Sequence, residues 1–159
     1  MGNTSKTRIP LEDSTCAIAR TLAALSDRWS FLVLREAFSG VTRFGEFRAN
    51  LGIASDVLSA RLATLVDYGI LSKQRYQEPG QRARDAYLLT PAGTDLKVVL
   101  GALQQWGDNH LARPEGPSIN RVDAGSGAAL SVVFADEDGH VVTKDDATFV
   151  RTAAYPTDG

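Results

Sequence analysis

Hydrophobic positions recur at helical spacing in residues 53–71, IASDVLSARLATLVDYGIL. One stripe of a helix with 3.6 residues per turn is entirely apolar and predicts burial: Val57, Leu58, Leu62, Leu65 and Val66. The opposite face is unusual, because it carries small side chains where a solvated helix usually carries Glu and Lys. Its members are Ser55, Asp56, Ser59, Ala60, Ala63 and Thr64. The pattern predicts a helix with a buried side and a low, uncrowded outer side.

Three helices are predicted before this one. The first begins near Asp13 or Ser14, and the second, DRWSFLVLREAFSG, is capped by Asp27, stopped by Gly40 and apolar around most of its circumference. The third covers residues 43–52. A tight glycine-containing turn joins it to the 53–71 helix, and two helices joined in this way form a helix-turn-helix.

Two strands follow the helix-turn-helix. Residues 69–77 and 82–90 have strand patterns on either side of the turn signal Glu78-Pro79-Gly80. Three helices followed by a β-hairpin predict a winged helix, an α+β fold in which the hairpin is the wing. A long helix opens at Thr90-Pro91, with the threonine hydroxyl as its N-cap. This helix has an apolar stripe that is too long for so small a domain to cover, which predicts that a partner subunit covers it. The stripe consists of Leu96, Val99, Leu100, Leu103, Trp106 and Leu111.

The remaining chain has a different composition. We expect four parts: an N-terminal arm (1–13), a winged-helix DNA-binding and dimerisation domain (14–112), a linker (113–118) and a small acidic β-strand extension (119–159). Segments 129–134, 140–143 and 147–150 predict a β-meander or hairpin in the extension. Asp136-Glu137-Asp138-Gly139 predicts a turn rather than a calcium loop, because Ala147 stands where an EF-hand needs glutamate.

Charge divides the chain at the linker. Residues 1–113 contain 14 basic and 11 acidic residues, whereas residues 114–159 contain 3 basic and 8 acidic residues, so a polyanion would be attracted only to the first part. One cysteine and two histidines cannot supply a disulfide framework or an ordinary zinc site, and we expect no metal and no cofactor. No apolar run is long enough to span a bilayer and no secretory signal is apparent, so we expect a cytoplasmic protein with no membrane contact.

The small outer face of the 53–71 helix suits entry into the DNA major groove. That groove is about 12 Å wide and lined by phosphates, so long or acidic side chains would be excluded or repelled. Ser55, Ser59 and Thr64 could exchange hydrogen bonds with base edges or phosphates, and the methyl groups of Ala60 and Thr64 could contact a thymine methyl. Packing against another protein surface is the alternative, because small residues also suit helix–helix contact.

The predicted wing favours DNA over that alternative. Lys73, Arg75, Arg82 and Arg84 place four cations on or beside it, against only two acidic residues in the same stretch. A solvated charged ribbon is the ordinary explanation for such a run. Arg43, at the start of the third helix, can reach a further phosphate. Arg61 lies on the inward edge of its helix, so it could form either an internal ion pair or a contact with DNA.

Several separated motifs, in order, resemble the HxlR family of winged-helix bacterial transcription regulators, which are related to MarR-type proteins. They are Cys16 with Arg20-Thr21-Leu22, Asp27-Arg28-Trp29-Ser30, Leu34-Arg35-Glu36, Arg43-Phe44-Gly45-Glu46-Phe47, Val57-Leu58-Ser59-Ala60-Arg61-Leu62, Tyr68-Gly69-Ile70-Leu71, and Tyr87-Leu88-Leu89-Thr90-Pro91-Ala92-Gly93. The resemblance implies a homodimer formed mainly by the first and last long helices, which adds Ile18 and Leu22 to the interface. It also implies a pseudo-palindromic operator with one recognition helix in each half-site.

This chain departs from the family pattern at two places. The recognition helix starts with Ala54-Ser55-Asp56, where the family commonly has Ser, Pro and a basic residue. Asp56 could read a cytosine amino group, or it could cap the helix and interact with its dipole. Ala86 stands where a glutamate is frequent. The operator sequence and the packing of the wing are therefore the features that transfer least well.

Two candidate switches accompany the predicted regulator. Cys16 matches a cysteine that redox-sensing relatives use, and its predicted position at a helix N-terminus favours the reactive thiolate form. The negative charges of nearby Glu12 and Asp13 disfavour the thiolate. The alternative is that Cys16 is simply a small apolar residue. A small-molecule effector could instead occupy a pocket lined by the aromatic residues Trp29, Phe31, Phe38 and Trp106. The alternative role of these residues is packing in the core.

The sequence predicts a dimeric, sequence-specific regulator of transcription, which in such families is more often a repressor. Its expected partners are double-stranded DNA and an oxidant or small-molecule effector. The alternative is a winged helix that binds proteins and not specific DNA. An enzyme is not expected, because no nucleophile with its base, phosphate cradle or metal cluster is present, and we assign no catalytic residue.

Overall fold

The computed structural model describes residues 10–155 and groups the chain into two compact units. The first unit contains the described residues up to Thr90 together with residues 151–155, and the second is Pro91–Val150. The predicted arm over residues 1–13 lies mostly outside the described residues, as do residues 156–159 of the extension. Within residues 10–155, no helix combines the length and the apolar character that crossing a bilayer requires.

The first unit has four helices and a two-stranded hairpin, which confirms the predicted α+β winged helix. After a 3-10 turn at Leu11–Asp13, the elements are α1 (Ala17–Ala24), α2 (Arg28–Phe38), α3 (Phe44–Leu51), α4 (Ser55–Asp67), β1 (Leu71–Tyr76) and β2 (Arg84–Leu89). The first helix begins later than predicted, because Ser14 and Cys16 have extended backbones and the Ser14 hydroxyl accepts the Cys16 N–H at 3.1 Å.

The core of the first unit lies around α2 and α4. The predicted apolar stripe of α4 is confirmed at its centre, where Leu58, Leu62 and Leu65 are fully buried, while Val57 and Val66 are half-buried. They share the interior with other fully buried side chains, namely Leu25, Val33, Leu34, Phe47 and Leu71. Removing a buried leucine of this kind typically costs about 2–5 kcal/mol, so the stripe fixes α4 in the unit and decides which of its faces remains outside.

Local signals fix the start of α2 and the end of α3 as predicted. The Asp27 carboxylate caps α2, where its Oδ1 accepts the N–H groups of Trp29 at 2.9 Å and Ser30 at 3.1 Å. Gly52 ends α3 in the left-handed region, with φ of 61°, which a residue with a side chain would adopt only with strain. The helix-turn-helix therefore turns at a glycine, as the sequence indicated.

The wing is a regular antiparallel hairpin attached at its base to α3. Leu71 lies opposite Leu89 and Tyr76 opposite Arg84, so the strands are shorter at both ends than the predicted 69–77 and 82–90. The Tyr87 N–H donates to the Thr42 carbonyl at 2.8 Å, and Arg43 forms an isolated bridge with Ala86. These bonds hold β2 against the segment that leads into α3.

The second unit consists of α5 (Pro91–His110) and the extension, which contains β3 (Phe134–Ala135) and β4 (Val141–Val142). The Gln105 side chain holds the extension on α5: its Nε2 donates to the Val132 carbonyl and its Oε1 accepts the Val132 N–H, each at 2.8 Å. Gln104 donates to the Ile119 carbonyl, and Arg121 pairs with Asp108 at 3.2 Å. Side chains of one α5 face therefore specify where the extension lies.

The extension contains less strand than predicted. Only the hairpin of β3 and β4 forms, whereas residues 129–133 and 147–150 are not strands, although Val122 and Ala129 form an isolated bridge. Of the predicted meander or hairpin, the structure therefore has the hairpin. The strands expected at 129–133 and 147–150 are wrong, because neither segment lies beside a strand with which it pairs among the described residues. The long helix also groups with the extension, whereas the sequence pattern places it in the winged-helix domain.

Candidate nucleic-acid interface

The outer face of α4 is exposed along its length. Its exposed members are Ser55, Asp56, Ser59, Ala60 and Ala63, while the apolar stripe lies on the buried side. Thr64 is half-buried, and its hydroxyl donates to the Ala60 carbonyl of the same helix at 3.0 Å. The face therefore carries only short side chains, and its polar groups without a partner among residues 10–155 are the hydroxyls of Ser55 and Ser59 and the carboxylate of Asp56.

Arg61 is committed to the interior side of α4. Its Nε lies 2.6 Å from Asp27 Oδ2 and its Nη1 lies 3.4 Å from the Ser26 hydroxyl. Of the two roles that the sequence left open, the structure has the ion pair. Because the same Asp27 carboxylate also caps α2, this contact fastens α4 to the N-terminus of α2.

The four wing cations are all exposed. Lys73 lies 3.9 Å from Asp85 and its ammonium is 5.8 Å from the centre of the Tyr87 ring. Arg75, Arg82 and Arg84 form no ion pair within the part of the chain that the structure describes. Among the described residues, three guanidinium groups on one hairpin thus have no ion-pair partner, an arrangement that favours phosphate binding.

Arg43 joins the start of α3 to the wing. Its Nη2 lies 2.8 Å from Glu78 Oε1, and its guanidinium carbon is 5.0 Å from the centre of the Tyr76 ring. The backbone N–H of Arg43 donates to Glu46 at 3.3 Å. The sequence analysis treats Glu78 as part of a turn and as one of two acidic residues in the wing, and no local signal could have shown that it pairs with a residue 35 positions earlier.

Glu36 connects α2 with α3 from within the first unit. Burial raises the pKa of its carboxyl, but hydrogen bonds from Asn50 at 2.9 Å and Arg35 at 2.8 Å outweigh burial and hold the pKa below its ordinary value. The charged form of Glu36 is therefore the form that the folded helix-turn-helix favours.

The residues proposed for dimerisation are accessible in the single chain. Ile18 and Leu22 of α1 are exposed, as are Val99, Leu103 and Trp106 of α5. Leu111, one residue past the end of α5, is also exposed, whereas Leu96 and Leu100 are half-buried. Val99, Leu103 and Trp106 follow one another at i, i+4 and i+7 and so share a face of α5. Gly101, Gln105 and Asp108, which meet the extension, lie on the opposite face.

The structure also shows where the residues of the two candidate switch sites lie. Cys16 is a free, half-buried cysteine at the N-cap of α1. Trp29, Phe31 and Phe38 are half-buried in the first unit, with the Arg28 guanidinium 5.0 Å from the Trp29 ring centre. Trp106 belongs to α5, where its ring centre lies 5.1 Å from that of His110.

The acidic turn of the extension forms the predicted tight turn. Asp136 Oδ1 accepts the backbone N–H groups of Asp138 at 3.0 Å and His140 at 2.9 Å. Asp136 Oδ2 lies 3.4 Å from His140 Nδ1. The side chains of Asp136, Asp138 and His140 are all exposed. The Asp136 carboxylate stabilises the turn through its hydrogen bonds to the backbone.

Comparison with known proteins identifies the family of the chain. The model of the HxlR-like helix-turn-helix family matches residues 24–115, which is more than half of the chain. An uncharacterized HTH-type transcriptional regulator of Mycobacterium tuberculosis H37Rv is 46% identical over 103 residues, which are 65% of this chain and 64% of that protein. The match thus spans just under two thirds of the relative.

Two solved structures extend the similarity past the family region. PA1607, described as a candidate transcription factor, shares 33% identity with a TM-score of 0.75, covering 89% of this chain and 98% of that one. PA1374 from Pseudomonas aeruginosa, described in the same way, shares 36% identity with a TM-score of 0.61, covering 89% and 96%. Because 89% of this chain is more than residues 1–115 contain, both matches include part of the extension.

Proposed function

Because the chain belongs to the HxlR-like helix-turn-helix family of DNA-binding transcriptional regulators, we propose that it binds a pseudo-palindromic operator as a homodimer and represses transcription from it. The observation that carries the proposal is the exposed, small-residue face of α4. A face of this kind can approach base edges closely, and the buried leucines behind it keep the helix from rotating away.

Base contacts are assigned to the N-terminal half of this face. Ser55 and Ser59 offer hydroxyls that donate and accept hydrogen bonds, and Ala60 offers a methyl group to thymine. Asp56 accepts hydrogen bonds only, which suits the amino group of cytosine. Thr64, whose hydroxyl is committed to the Ala60 carbonyl, contributes its methyl group.

Phosphate contacts are assigned to the wing and to the start of α3. Arg75, Arg82, Arg84 and Lys73 supply the charge, and Arg43 contributes after exchanging Glu78 for a phosphate. Arg61 acts as a positioning residue through Asp27. Contacts of this type set orientation and most of the salt dependence, whereas α4 sets specificity.

Dimerisation is assigned to the exposed faces of α1 and α5. Leu103 and Trp106 are 53% and 58% exposed, and of all residues in the second unit that the structure describes only Gly93 is buried. Such apolar area on one chain is typical of a subunit interface. Leu103→Asp should convert a dimer into a monomer in sedimentation equilibrium, whereas Asn109→Asp should not. A wild-type monomer at micromolar concentration would contradict this assignment.

Control of the regulator is assigned to oxidation of Cys16 or to a bound effector. The Cys16 thiol is half-buried and unpaired, so an oxidant can reach it and no disulfide protects it. A mild oxidant should weaken operator binding by the wild type and leave Cys16→Ser unaffected. An equal response in the two proteins would exclude the thiol as the switch.

Selection of bound fragments from the host genome tests the DNA proposal. We expect a few enriched fragments that contain inverted half-sites about one helical turn apart, and reduced transcription from promoters that contain them. If no fragment is enriched at low salt, the chain is the alternative, a winged-helix module that binds proteins. Enrichment of single half-sites would overturn the dimer and leave the DNA contact standing.

A further inference from the structure

One edge of the extension has no hydrogen-bond partner among residues 10–155. The Leu130 N–H donates to a carbonyl of a neighbouring segment at 2.8 Å, and both backbone groups of Val132 are bonded to Gln105 at 2.8 Å. Ser131 and Val133 form no hydrogen bond within the described residues. Alternate residues of a strand direct their N–H and C=O groups to opposite sides. Leu130 and Val132 therefore bond within the second unit, whereas Ser131 and Val133 leave an open edge.

This open edge has none of the features that protect an exposed strand. Residues 124–135 contain no charged residue and no proline, although the extension as a whole is acidic. Leu130, Val133 and Phe134 are exposed. Phe149, which is 92% exposed, has its ring centre 6.4 Å from that of Phe134 and so enlarges the apolar surface. An unprotected apolar edge of this kind is a template for pairing with another strand.

We propose that the strand on this edge is the same segment of a second copy of the chain, paired antiparallel, with Ser131 of each copy opposite Val133 of the other. Two identical edges related by a twofold axis are complementary to each other. In this register Leu130 of one copy lies opposite Phe134 of the other, at a non-hydrogen-bonded position where side chains approach most closely. The exposed apolar side chains of the two copies therefore cover one another.

Charge favours the antiparallel arrangement over the parallel one. The segment runs directly into the acidic turn that begins at Asp136. In a parallel pair the two acidic turns would lie side by side, and like charges directly opposite each other are destabilising. In the antiparallel register Asp136 lies opposite Ala128, so the two turns are about 26 Å apart at about 3.3 Å per residue. The acidic turns thus specify the direction of pairing.

The paired edges join two dimers rather than the two subunits of one dimer. This step rests on the proposed function, which assigns the α5 face with Leu103 and Trp106 to the partner subunit. Gln105 holds the extension on the opposite face of α5, so the open edge lies away from that partner. Two short edges form a small interface of the transient class, which is populated mainly where dimers are held close together. Neighbouring operators supply this proximity by raising the effective concentration. The extension therefore makes neighbouring dimers bind DNA cooperatively.

Cysteine cross-linking tests the register without DNA. In a Cys16→Ser background, full-length chains with Ser131→Cys and chains with Val133→Cys are oxidised separately and as a mixture, at high protein concentration. The mixture should form intermolecular disulfides at least tenfold faster than either variant alone, because positions 131 and 133 of different copies face each other within disulfide reach. Two copies of the same position lie diagonally, about 7–8 Å apart.

The exposed linker variant Glu115→Cys in the same background measures cross-linking by random collision. A mixture that reacts no faster than this control overturns the contact. Equally fast reaction of Ser131→Cys or Val133→Cys with itself overturns the antiparallel register.

A proline on the open edge tests association. Ser131→Pro removes the N–H that the pairing uses, whereas Ser131→Ala keeps it. In sedimentation equilibrium, the wild type and Ser131→Ala should gain mass as the concentration rises above the micromolar range, and Ser131→Pro should not. Slow hydrogen exchange of the Val132 amide in all three proteins shows that Gln105 still holds the extension. Equal association of the three proteins, or none in the wild type, overturns the contact.

DNA fragments that contain two copies of a bound site, at a series of spacings, test the cooperative role. At the best spacing the wild type and Ser131→Ala should bind the pair at least threefold more tightly than two independent sites, whereas Ser131→Pro should fill the sites independently. Independent filling by the wild type at every spacing overturns the cooperative role. If no fragment binds at all, the proposed function fails while cross-linking still decides the contact.

Discussion

Replacing Asp27 tests how α4 is held in place. One carboxylate oxygen caps α2 through two N–H groups, at 2.9 and 3.1 Å, and the other pairs with Arg61 at 2.6 Å. Asn is as good an N-cap as Asp but carries no charge, so Asp27→Asn removes only the ion pair while Asp27→Ala removes both functions.

The two losses can be estimated separately. Loss of an N-cap costs about 1 kcal/mol. The side chains of Arg61 and Asp27 are 28% and 30% exposed, so solvent screens their pair and we take it as about 1 kcal/mol, the upper end for accessible pairs. We therefore expect Asp27→Asn to lower the free energy of unfolding by about 1 kcal/mol and Asp27→Ala by about 2 kcal/mol.

Urea unfolding at one fixed protein concentration measures these differences, with an unchanged m-value as the check that only stability has moved. A double-mutant cycle with Arg61→Ala isolates the pair: once Asp27 is Asn, removing Arg61 should cost about 1 kcal/mol less than it does in the wild type. Equal destabilisation by Asp27→Asn and Asp27→Ala, or additive single effects in the cycle, would refute the reasoning.

Three further predictions concern charge, pH and the extension. The double variant Arg82→Ala with Arg84→Ala should reduce the slope of log affinity for DNA against log salt concentration by about 0.9 for each phosphate that the wing no longer neutralises. Arg113→Ala in the linker should leave this slope unchanged. An equal drop in the two variants would contradict a role for the wing. Because the folded state lowers the pKa of Glu36, its charged form stabilises the fold at neutral pH, and this contribution should disappear as pH falls below about 4.5, the ordinary value of the carboxyl. Glu36→Gln should therefore show a smaller acid loss in urea midpoint than the wild type, and parallel profiles would count against the Asn50 and Arg35 bonds. Gln105→Ala removes both hydrogen bonds to Val132 and should speed hydrogen exchange of the Val132 amide at least tenfold, an effect that Asn109→Ala should not produce.

Local patterns were sufficient for the winged helix itself. The α4 stripe, the Asp27 cap, the Gly52 turn and the wing hairpin all depend on residues close in sequence, where spacing and backbone preference decide the outcome. For the same reason, the exposed small face of α4 followed once the apolar stripe was known, because the buried side determines the opposite one.

Interactions between distant residues could not be read in the same way. Arg61 with Asp27 and Arg43 with Glu78 are pairs 34 and 35 positions apart, and a sequence alone shows only that each arginine has some acidic partner available. The way the wing lies against the start of α3 depends on bonds between segments distant in sequence, so the sequence pattern did not predict it. In the extension, apolar alternation was visible, but strand pairing depends on which segments become neighbours.

The central claim, that the exposed face of α4 enters the DNA groove, is tested most directly by one substitution on that face. Ser59 is exposed and helical, so Glu is accommodated there without a change in fold, while its carboxylate would face phosphates. Operator affinity of Ser59→Glu should fall at least about 100-fold, towards the non-specific level. Ser59→Ala, which loses at most one hydrogen bond of about 1 kcal/mol, should fall only about fivefold. Wild-type operator affinity in Ser59→Glu would contradict the account.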